Sequence, residues 1–334
     1  MDREKKEVRV WFDIKNSHEP LLVNSLTKSL PYDFYLTARD YVEVVGLLEK
    51  YGLDFKVVGR YHGKNDMGRA MYIGIRALEL FFRVPKYDFL LSHGSLYAIY
   101  ASKARLKPSI TIFDGDISGQ ILKEIFKRST YLILTPYTNY RKFGVEKNKV
   151  HIFDGFKEDI YLADLKPEEC KKEIPFDSYI LIRPEAYNAY YVSEKTSLVP
   201  ELIKRFSREN YNIVLLPRYP EERQKYMKYK NIFIPEKPVN GICAAWFADA
   251  VLTGSGTLGR EAACMGTKSV SFFPGKEMLS VDTELINRGW LYHSRDPEEI
   301  VEYVMNTPKR KKSVDRSKKV KDEVVNIIRE IIDV

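Results

Sequence analysis

The densest run of chemistry-bearing residues in this 334-residue chain is Gly254-Ser255-Gly256-Thr257, with Glu261 four residues further on. An apolar run at 250–252 precedes it and helix-favouring residues follow. The pattern predicts a strand, a tight turn and a helix start. Glycines let the backbone approach a ligand closely. Open amides and the dipole at a helix start attract phosphate. Ser255 and Thr257 add hydroxyl groups, and Glu261 is placed to accept two hydrogen bonds from a ribose diol. The same letters also suit an ordinary capped helix with a dipole-complementing acid. No Gly-Lys-Ser/Thr ending is present, so the turn is not a Walker A loop.

Other reactive residues fall at the ends of strand-like runs. His18 follows the first one. His93 lies in Ser-His-Gly-Ser after 88–92. A histidine titrating near 6.5 suits general-base work, so His18 is the candidate base, and His93 either orients substrate or takes its place. Asp114 and Asp116 close a further strand, and two nearby carboxylates can hold magnesium. Arg183 and Arg218 each end a strand. A guanidinium there can grip a diphosphate bidentately and stabilise it as a leaving group, or form a salt bridge at the sheet edge.

These residues need a scaffold, and the hydrophobic pattern supplies one. Strand-like runs at 8–14, 33–37, 55–59, 87–92, 109–113 and 131–135 alternate with helix-like stretches. A second series has strands at 179–182, 213–216, 232–235, 250–252 and 269–273. Short Val/Ile/Phe runs fit strands buried on both faces. Strict alternation implies parallel sheets covered by helices. The expected fold class is α/β, with two doubly wound Rossmann-like domains whose parallel sheets face across a cleft. The domains are placed at 1–156 and 178–334, joined by a polar linker at 157–177, with the last helix able to pack back on the first domain. The first domain is the acceptor side and the second the nucleotide-sugar side.

The Gly254–Glu261 segment resembles the nucleotide-sugar motif of GT-B glycosyltransferases and of non-hydrolysing UDP-N-acetylglucosamine 2-epimerases. There a strand leads to a Ser-Gly turn and a helix bearing Glu. The stretch Trp-Phe-Asp-Ile-Lys-Asn-Ser-His at 11–18, with Leu-Thr-Ala-Arg at 36–39, is similar to an uncharacterised, largely archaeal family of GT-B-like proteins. The resemblance implies the GT-B architecture, with the sugar nucleotide on the second domain and a base such as His18 in the turn after the first strand. It also implies that helix amides and basic residues, rather than a metal, hold the diphosphate. No metal ligands are therefore expected, and no cofactor beyond a UDP-sugar as substrate. The epimerases carry an acid near Asp114 or Asp116, but their His-Arg pair is replaced here by Arg183-Pro-Glu.

Composition narrows the classes. Longest apolar runs fall far short of the roughly 18 residues a membrane span needs. The charged start at 1–6 lacks a signal peptide's apolar core. The three cysteines, Cys170, Cys243 and Cys264, are widely spaced and odd in number, which argues against a disulfide framework or zinc site and for a cytoplasmic location. The net charge is +8. Residues 1–155 hold 25 Lys+Arg and 18 Asp+Glu, about +7, so the first half is the basic one. Residues 69–86 mix Met71, Tyr72, Ile73, Phe81 and Phe82 with Arg69, Arg76, Arg83 and Lys86. Such a helix suits a peripheral contact with an anionic membrane, or simply a core face. The basic run at 309–312 reads as solvated surface, and no nucleic-acid partner is expected. The expected function is a metal-independent glycosyltransferase that moves a sugar from a UDP-sugar to an unknown acceptor, lipid-linked or anionic. The alternatives are an epimerase of the kind named above and a non-catalytic nucleotide-sugar binding protein.

Overall fold

A computed structural model describes residues 8–60, 66–117, 119–185, 196–218, 220–229, 231–237 and 239–333. The charged start at 1–6 and the Arg69 side chain lie outside what it describes. The chain divides into two compact units, Met1–Tyr161 with Lys319–Val334, and Leu162–Lys318.

Unit 1 is built on seven strands: β1 (Arg9–Ile14), β2 (Asp33–Asp40), β3 (Phe55–Arg60), β4 (Phe89–Ser92), β5 (Ser109–Phe113), β6 (Tyr131–Leu134) and β7 (Val150–Ile152). Their order is β3-β2-β1-β4-β5-β6-β7, and every pairing is parallel. Intervening helices are α1 (Glu19–Ser29), α2 (Val42–Lys50), α3 (Asp66–Arg83), α4 (Leu96–Ala104), α5 (Gln120–Arg128) and α6 (Lys157–Leu162). Strand β1 shows why its run reads as unbroken and apolar: Val10, Trp11, Phe12 and Ile14 are all fully buried, as a strand covered on both faces must be.

Arg9 at the start of β1 is exposed, but the charge inside the strand, Asp13, is also fully buried. It accepts hydrogen bonds from Thr37 Oγ1 at 2.7 Å and from both Arg76 Nη atoms at 2.7 and 3.0 Å. Ser95, which caps α4, donates to its other oxygen. A charge without water must be paired and fully hydrogen-bonded, and this one ties β1, β2, α3 and α4 together at the sheet's carboxyl edge. Gly59 is required beside it, because a Cβ there would lie 2.9 Å from the Arg76 chain.

Unit 2 repeats the architecture with six strands: β8 (Ile180–Arg183), β9 (Ile213–Leu215), β10 (Ile232–Phe233), β11 (Ala250–Thr253), β12 (Lys268–Ser271) and β13 (Leu291–His293). The order is β10-β9-β8-β11-β12-β13, all parallel. Its helices are α7 (Val199–Arg208), α8 (Pro220–Tyr226), α9 (Gly241–Phe247), α10 (Gly256–Met265), α11 (Ser280–Asn287) and α12 (Pro297–Asn306). The last helix, α13 (Asp315–Ile332), lies mostly in unit 1, where Glu323 accepts from the Asp154 amide at 3.0 Å.

Three expectations need correction. Residues 157–162 are helix α6 rather than linker, and Lys157, Glu158, Asp159 and Ile160 are all buried. Asp159 accepts from the Phe156 amide at 2.9 Å, the reciprocal half of a capping box, so the charges here start a helix. The basic run at 309–312 is not merely solvated. Lys312 Nζ donates to Trp246 O and, at 2.9 Å, to Ala248 O, and Arg310 donates to Ala263 O at 3.0 Å. Cations there satisfy the carbonyls that α9 and α10 leave open at their ends.

Third, Cys170 and Cys243 form a disulfide, with Cα atoms 5.7 Å apart and a sequence separation of 73. The spacing hid the pair because the fold, not the chain, brings the segment before β8 against the start of α9. There Asn240 N also donates to Glu173 at 2.8 Å. Cys264 is buried and free. Closing a 73-residue loop restricts the unfolded chain by about 4 kcal/mol. Cys170→Ser, or added reductant, should therefore lower the melting temperature of the wild-type chain and leave the variant's unmoved by reductant.

Candidate functional site

In each sheet the strand order reverses at one point: between β1 and β4 in unit 1, and between β8 and β11 in unit 2. Crevices outside the carboxyl ends of strands at such points are where doubly wound folds bind ligands. The candidate residues cluster at both.

In unit 1, His18 follows β1, His93 follows β4 and Asp114 follows β5. His18 Nε2 lies 3.3 Å from His93 Nδ1, and His93 Nε2 lies 3.3 Å from Asp114 Oδ1. The two imidazoles meet edge to face, with ring centres 4.8 Å apart. Local backbone chemistry sets this. Gly94 has φ +64, and a Cβ on it would come within 2.6 Å of the Phe113 ring. That ring lies 5.1 Å from the His93 ring. Only glycine lets the turn fold down so that Phe113 supports the histidine.

A carboxylate only accepts, so Asp114 takes the Nε2 proton of His93. Where His93 Nδ1 is unprotonated it accepts from His18 Nε2–H and leaves His18 Nδ1 with a lone pair for a substrate; where it carries a proton, that proton faces Glu19 Oε1. When His18 Nδ1 gains a proton, its Nε2 proton can pass to His93. Glu19 Oε1, 3.5 Å from His93 Nδ1, then faces a positive imidazolium. Lys157 Nζ lies 3.2 Å from Asp114 Oδ2 and 3.4 Å from Glu158. Burial first, then the nearby Lys157 ammonium, hold His18 well below the ordinary histidine range. Burial works to raise the Glu19 carboxyl, but Lys15 and the contact with His93 outweigh it and hold the group far below the usual carboxylate range. Glu19 also accepts from the Lys15 amide at 2.7 Å and from Asn16 Nδ2 at 2.9 Å, which fixes the turn carrying His18.

Asp116 Oδ2 accepts from the Asn139 amide at 3.1 Å and so secures the chain after β6, while Asp114 faces His93 and Lys157. Among the described residues, the set close enough to share a metal ion is His18, Glu19 and His93, with ligand atoms within 4.8 Å of one another. Those atoms already bond one another, and the Lys157 ammonium adds positive charge beside them, which opposes a further cation. A cavity of about 440 Å³ lies elsewhere in unit 1, lined by Asp40, Gly59, Tyr72, Glu79 and Arg83 among others, and none of His18, His93 and Asp114 borders it.

In unit 2, Arg183 ends β8 and Gly254 follows β11. The Gly254 amide donates to Arg183 O at 3.1 Å. A Cβ on Gly254 would lie 2.6 Å from Glu185 Cα, so the strand exits touch. Glu185 is fully buried and accepts from Ser197 Oγ at 2.9 Å and from the Leu198 amide at 3.0 Å, at the start of α7. Ser255 is the extended residue before α10, and its hydroxyl makes no cap bond. It lies 3.2 Å from Thr253 Oγ1 instead. Ser255, Gly256 and Thr257 are partly exposed. Arg260 lies over this first turn, with Nη1 2.4 Å from where a Gly256 Cβ would sit, and pairs with Asp282 at 3.1 Å. Glu261, on the same helix, is buried.

Among the described residues the Arg183 guanidinium has no hydrogen bond or ion pair. Arg218 is more committed: its Nε donates to Pro184 O at 2.8 Å and its amide to Glu222 at 2.6 Å, so it braces the exit of β8. Glu19, Lys157, Glu158 and Arg260 escape a reading of the sequence. Glu19 and Glu158 look like ordinary first-turn acids, Lys157 sits in a polar stretch, and Arg260 is one of many arginines. A basic residue four positions after the second glycine was the only signal available.

Two doubly wound parallel-sheet units, each with one switch point, are the architecture of the GT-B fold. The chain belongs to the family described as a protein of unknown function, DUF354, whose model matches residues 8–333. An uncharacterised protein of Methanocaldococcus jannaschii is 23% identical over 328 residues, covering 88% of this chain and 90% of that protein. Among solved structures, the UDP-GlcNAc 2-epimerase of Methanocaldococcus jannaschii in complex with UDP-GlcNAc and UDP superposes with a TM-score of 0.73 at 17% identity, covering 97% of this chain and 100% of that one. The glycotransferase of kitacinnamycin gives a TM-score of 0.63 at 10% identity, covering 97% and 98%. At these identities the likeness is one of fold. Among the described residues, no helix is long and apolar enough to cross a membrane.

Proposed function

We infer that the chain is a metal-independent nucleotide-sugar enzyme that transfers a sugar from a UDP-sugar to an acceptor hydroxyl. The observation that carries this is the His18–His93–Asp114 chain at the switch point of unit 1. It provides a neutral imidazole with a route for its acquired charge. In the reaction, the acceptor O–H gives its proton to His18 Nδ1 as the oxygen bonds the anomeric carbon. The bond from that carbon to the diphosphate breaks, and its electron pair leaves with UDP. Unit 2 supplies the leaving-group site: the amides opening α10 at Gly256 and Thr257, the Ser255 hydroxyl, and the Arg183 and Arg260 guanidiniums. Glu261 takes the ribose diol. The similarity of fold to UDP-sugar-binding proteins supports the donor class.

A thermal-shift screen against nucleotides and nucleotide sugars tests the donor, since a ligand at 100 times its dissociation constant adds about 2.7 kcal/mol. A UDP-sugar should give the largest shift, and no shift with any of them rejects the reading. Glu261→Ala should weaken UDP binding by about 1–3 kcal/mol by stranding its partners. Unchanged affinity in calorimetry removes the ribose role.

Epimerisation is the second reading. The unit 1 cluster of His18, Glu19, His93, Asp114 and Lys157 holds more than one proton-transfer group, as inversion at a sugar carbon requires. Labelled UDP-N-acetylglucosamine incubated alone changes its C2 configuration only under this reading. UDP release that requires an acceptor favours transfer. UDP binding with no donor consumed across an acceptor panel makes the chain a binding protein.

A further inference from the structure

Helix α3 has two apolar faces. Tyr72, Arg76 and Leu80, at i, i+4 and i+8, are 6%, 0% and 0% exposed and turn inward. Met71, Ile75, Leu78 and Phe82 follow at i, i+4, i+7 and i+11, a spacing that places all four on one side of the helix. They are 67%, 47%, 60% and 77% exposed. Arg105 donates to Val84 O at 2.7 Å and Pro85 O at 3.1 Å, which holds the loop after α4 against the end of α3. The tip of that loop is Leu106, 92% exposed. Monomeric proteins rarely leave a continuous apolar stripe of this kind open, and such stripes mark contact surfaces.

The rim of the stripe identifies the contact. Arg83 at the end of α3, Lys86 in the turn after it and Lys103 near the end of α4 are exposed. Of the charges that α3 and the turn after it carry, Arg76 is buried against Asp13, Arg83 and Lys86 are exposed, and Glu79 is partly exposed. The geometry points to an anionic lipid bilayer as the occupant of this face. Phe82, Leu78 and Leu106 enter the acyl boundary while the cations meet lipid phosphates, and two weak signals acting together give stable attachment. A second copy of the chain fits less well, because a two-fold contact sets the basic rim of one +8 chain against the same rim of the other. This goes beyond the nucleotide-sugar reading and does not depend on it.

Co-sedimentation of the full chain with vesicles is the test, and no nucleotide is present in it. The chain should pellet with mixed phosphatidylglycerol–phosphatidylcholine vesicles, much less with phosphatidylcholine alone, and less at high salt. Leu78→Ser combined with Phe82→Ser should lower the partition coefficient by about tenfold or more. Both side chains are exposed, so an unchanged melting temperature shows that the variant remains folded. Lys86→Glu should reduce binding to the anionic vesicles alone. Four results overturn the proposal: no pelleting by wild type, indifference to phosphatidylglycerol, full binding by the double variant, or a wild-type dimer in sedimentation equilibrium that the double variant dissociates.

Discussion

His18→Ala lowers turnover of the UDP-sugar by about 100-fold or more while the dissociation constant for UDP is nearly unchanged. The expectation follows from where the imidazole stands. It belongs to unit 1, whereas the residues assigned to UDP belong to unit 2, so its loss touches kcat rather than donor binding. The pH profile provides a second readout. Burial and Lys157 disfavour the charged form of His18, so the base remains unprotonated below the ordinary value of 6.5. The acid limb of kcat/KM should therefore fall below pH 6.5. Linkage gives the matching sign for stability. The unfolded chain takes up a proton on His18 near pH 6.5 and the folded chain does not, so folding stability falls as pH drops below that value. His18→Ala should flatten that decline. Turnover that survives the substitution shows that another group is the base, and an acid limb at or above 6.5 contradicts the buried, neutral imidazole.

The scaffold was legible because it rests on one physical requirement. A strand covered on both faces must be apolar along its length, and Val10 to Ile14 or Ala250 to Leu252 announce themselves in that way. Once the strands are placed, the reactive residues that follow them fall at the carboxyl edges, so His18, His93, Asp114 and Gly254 could be found from position alone. The three-residue edge strands β7 and β13 were missed because so short a run carries no periodicity. The groups packed around His93 and Asp114 were illegible for a different reason. Lys157 and Glu158 are charged, and charge ordinarily signals a solvated segment. Lys157 is buried against Asp114, some forty residues earlier, with Glu158 beside its ammonium, and no local pattern reports the Asp114 contact. The Cys170–Cys243 bond and the capping role of Lys312 were hidden in the same way, because each depends on which segments the fold brings together.

Gly254→Ala and Gly256→Ala should fail in different ways, and the contrast tests unit 2. At Gly254 the added methyl meets backbone, 2.6 Å from Glu185 Cα and 2.8 Å from its nitrogen. Backbone cannot swing aside, so β8 and β11 must part at their carboxyl ends, disturbing the Gly254 N–Arg183 O bond and the buried Glu185 that starts α7. Overpacking of this kind costs about 3 kcal/mol. The urea midpoint should drop, and the UDP-induced thermal shift should vanish with it. At Gly256 the methyl meets the far end of a flexible side chain, the Arg260 guanidinium. That group can move, so the stability cost is smaller. Moving it, however, takes a positive charge from the first turn of α10 and strains the pair with Asp282. UDP affinity should therefore fall by about tenfold or more, the scale of a lost charge-assisted hydrogen bond, with little change in the urea midpoint. A Gly254→Ala chain as stable as wild type would show that the two strand exits do not touch. Wild-type UDP affinity in Gly256→Ala would mean that the diphosphate is held somewhere other than the start of α10.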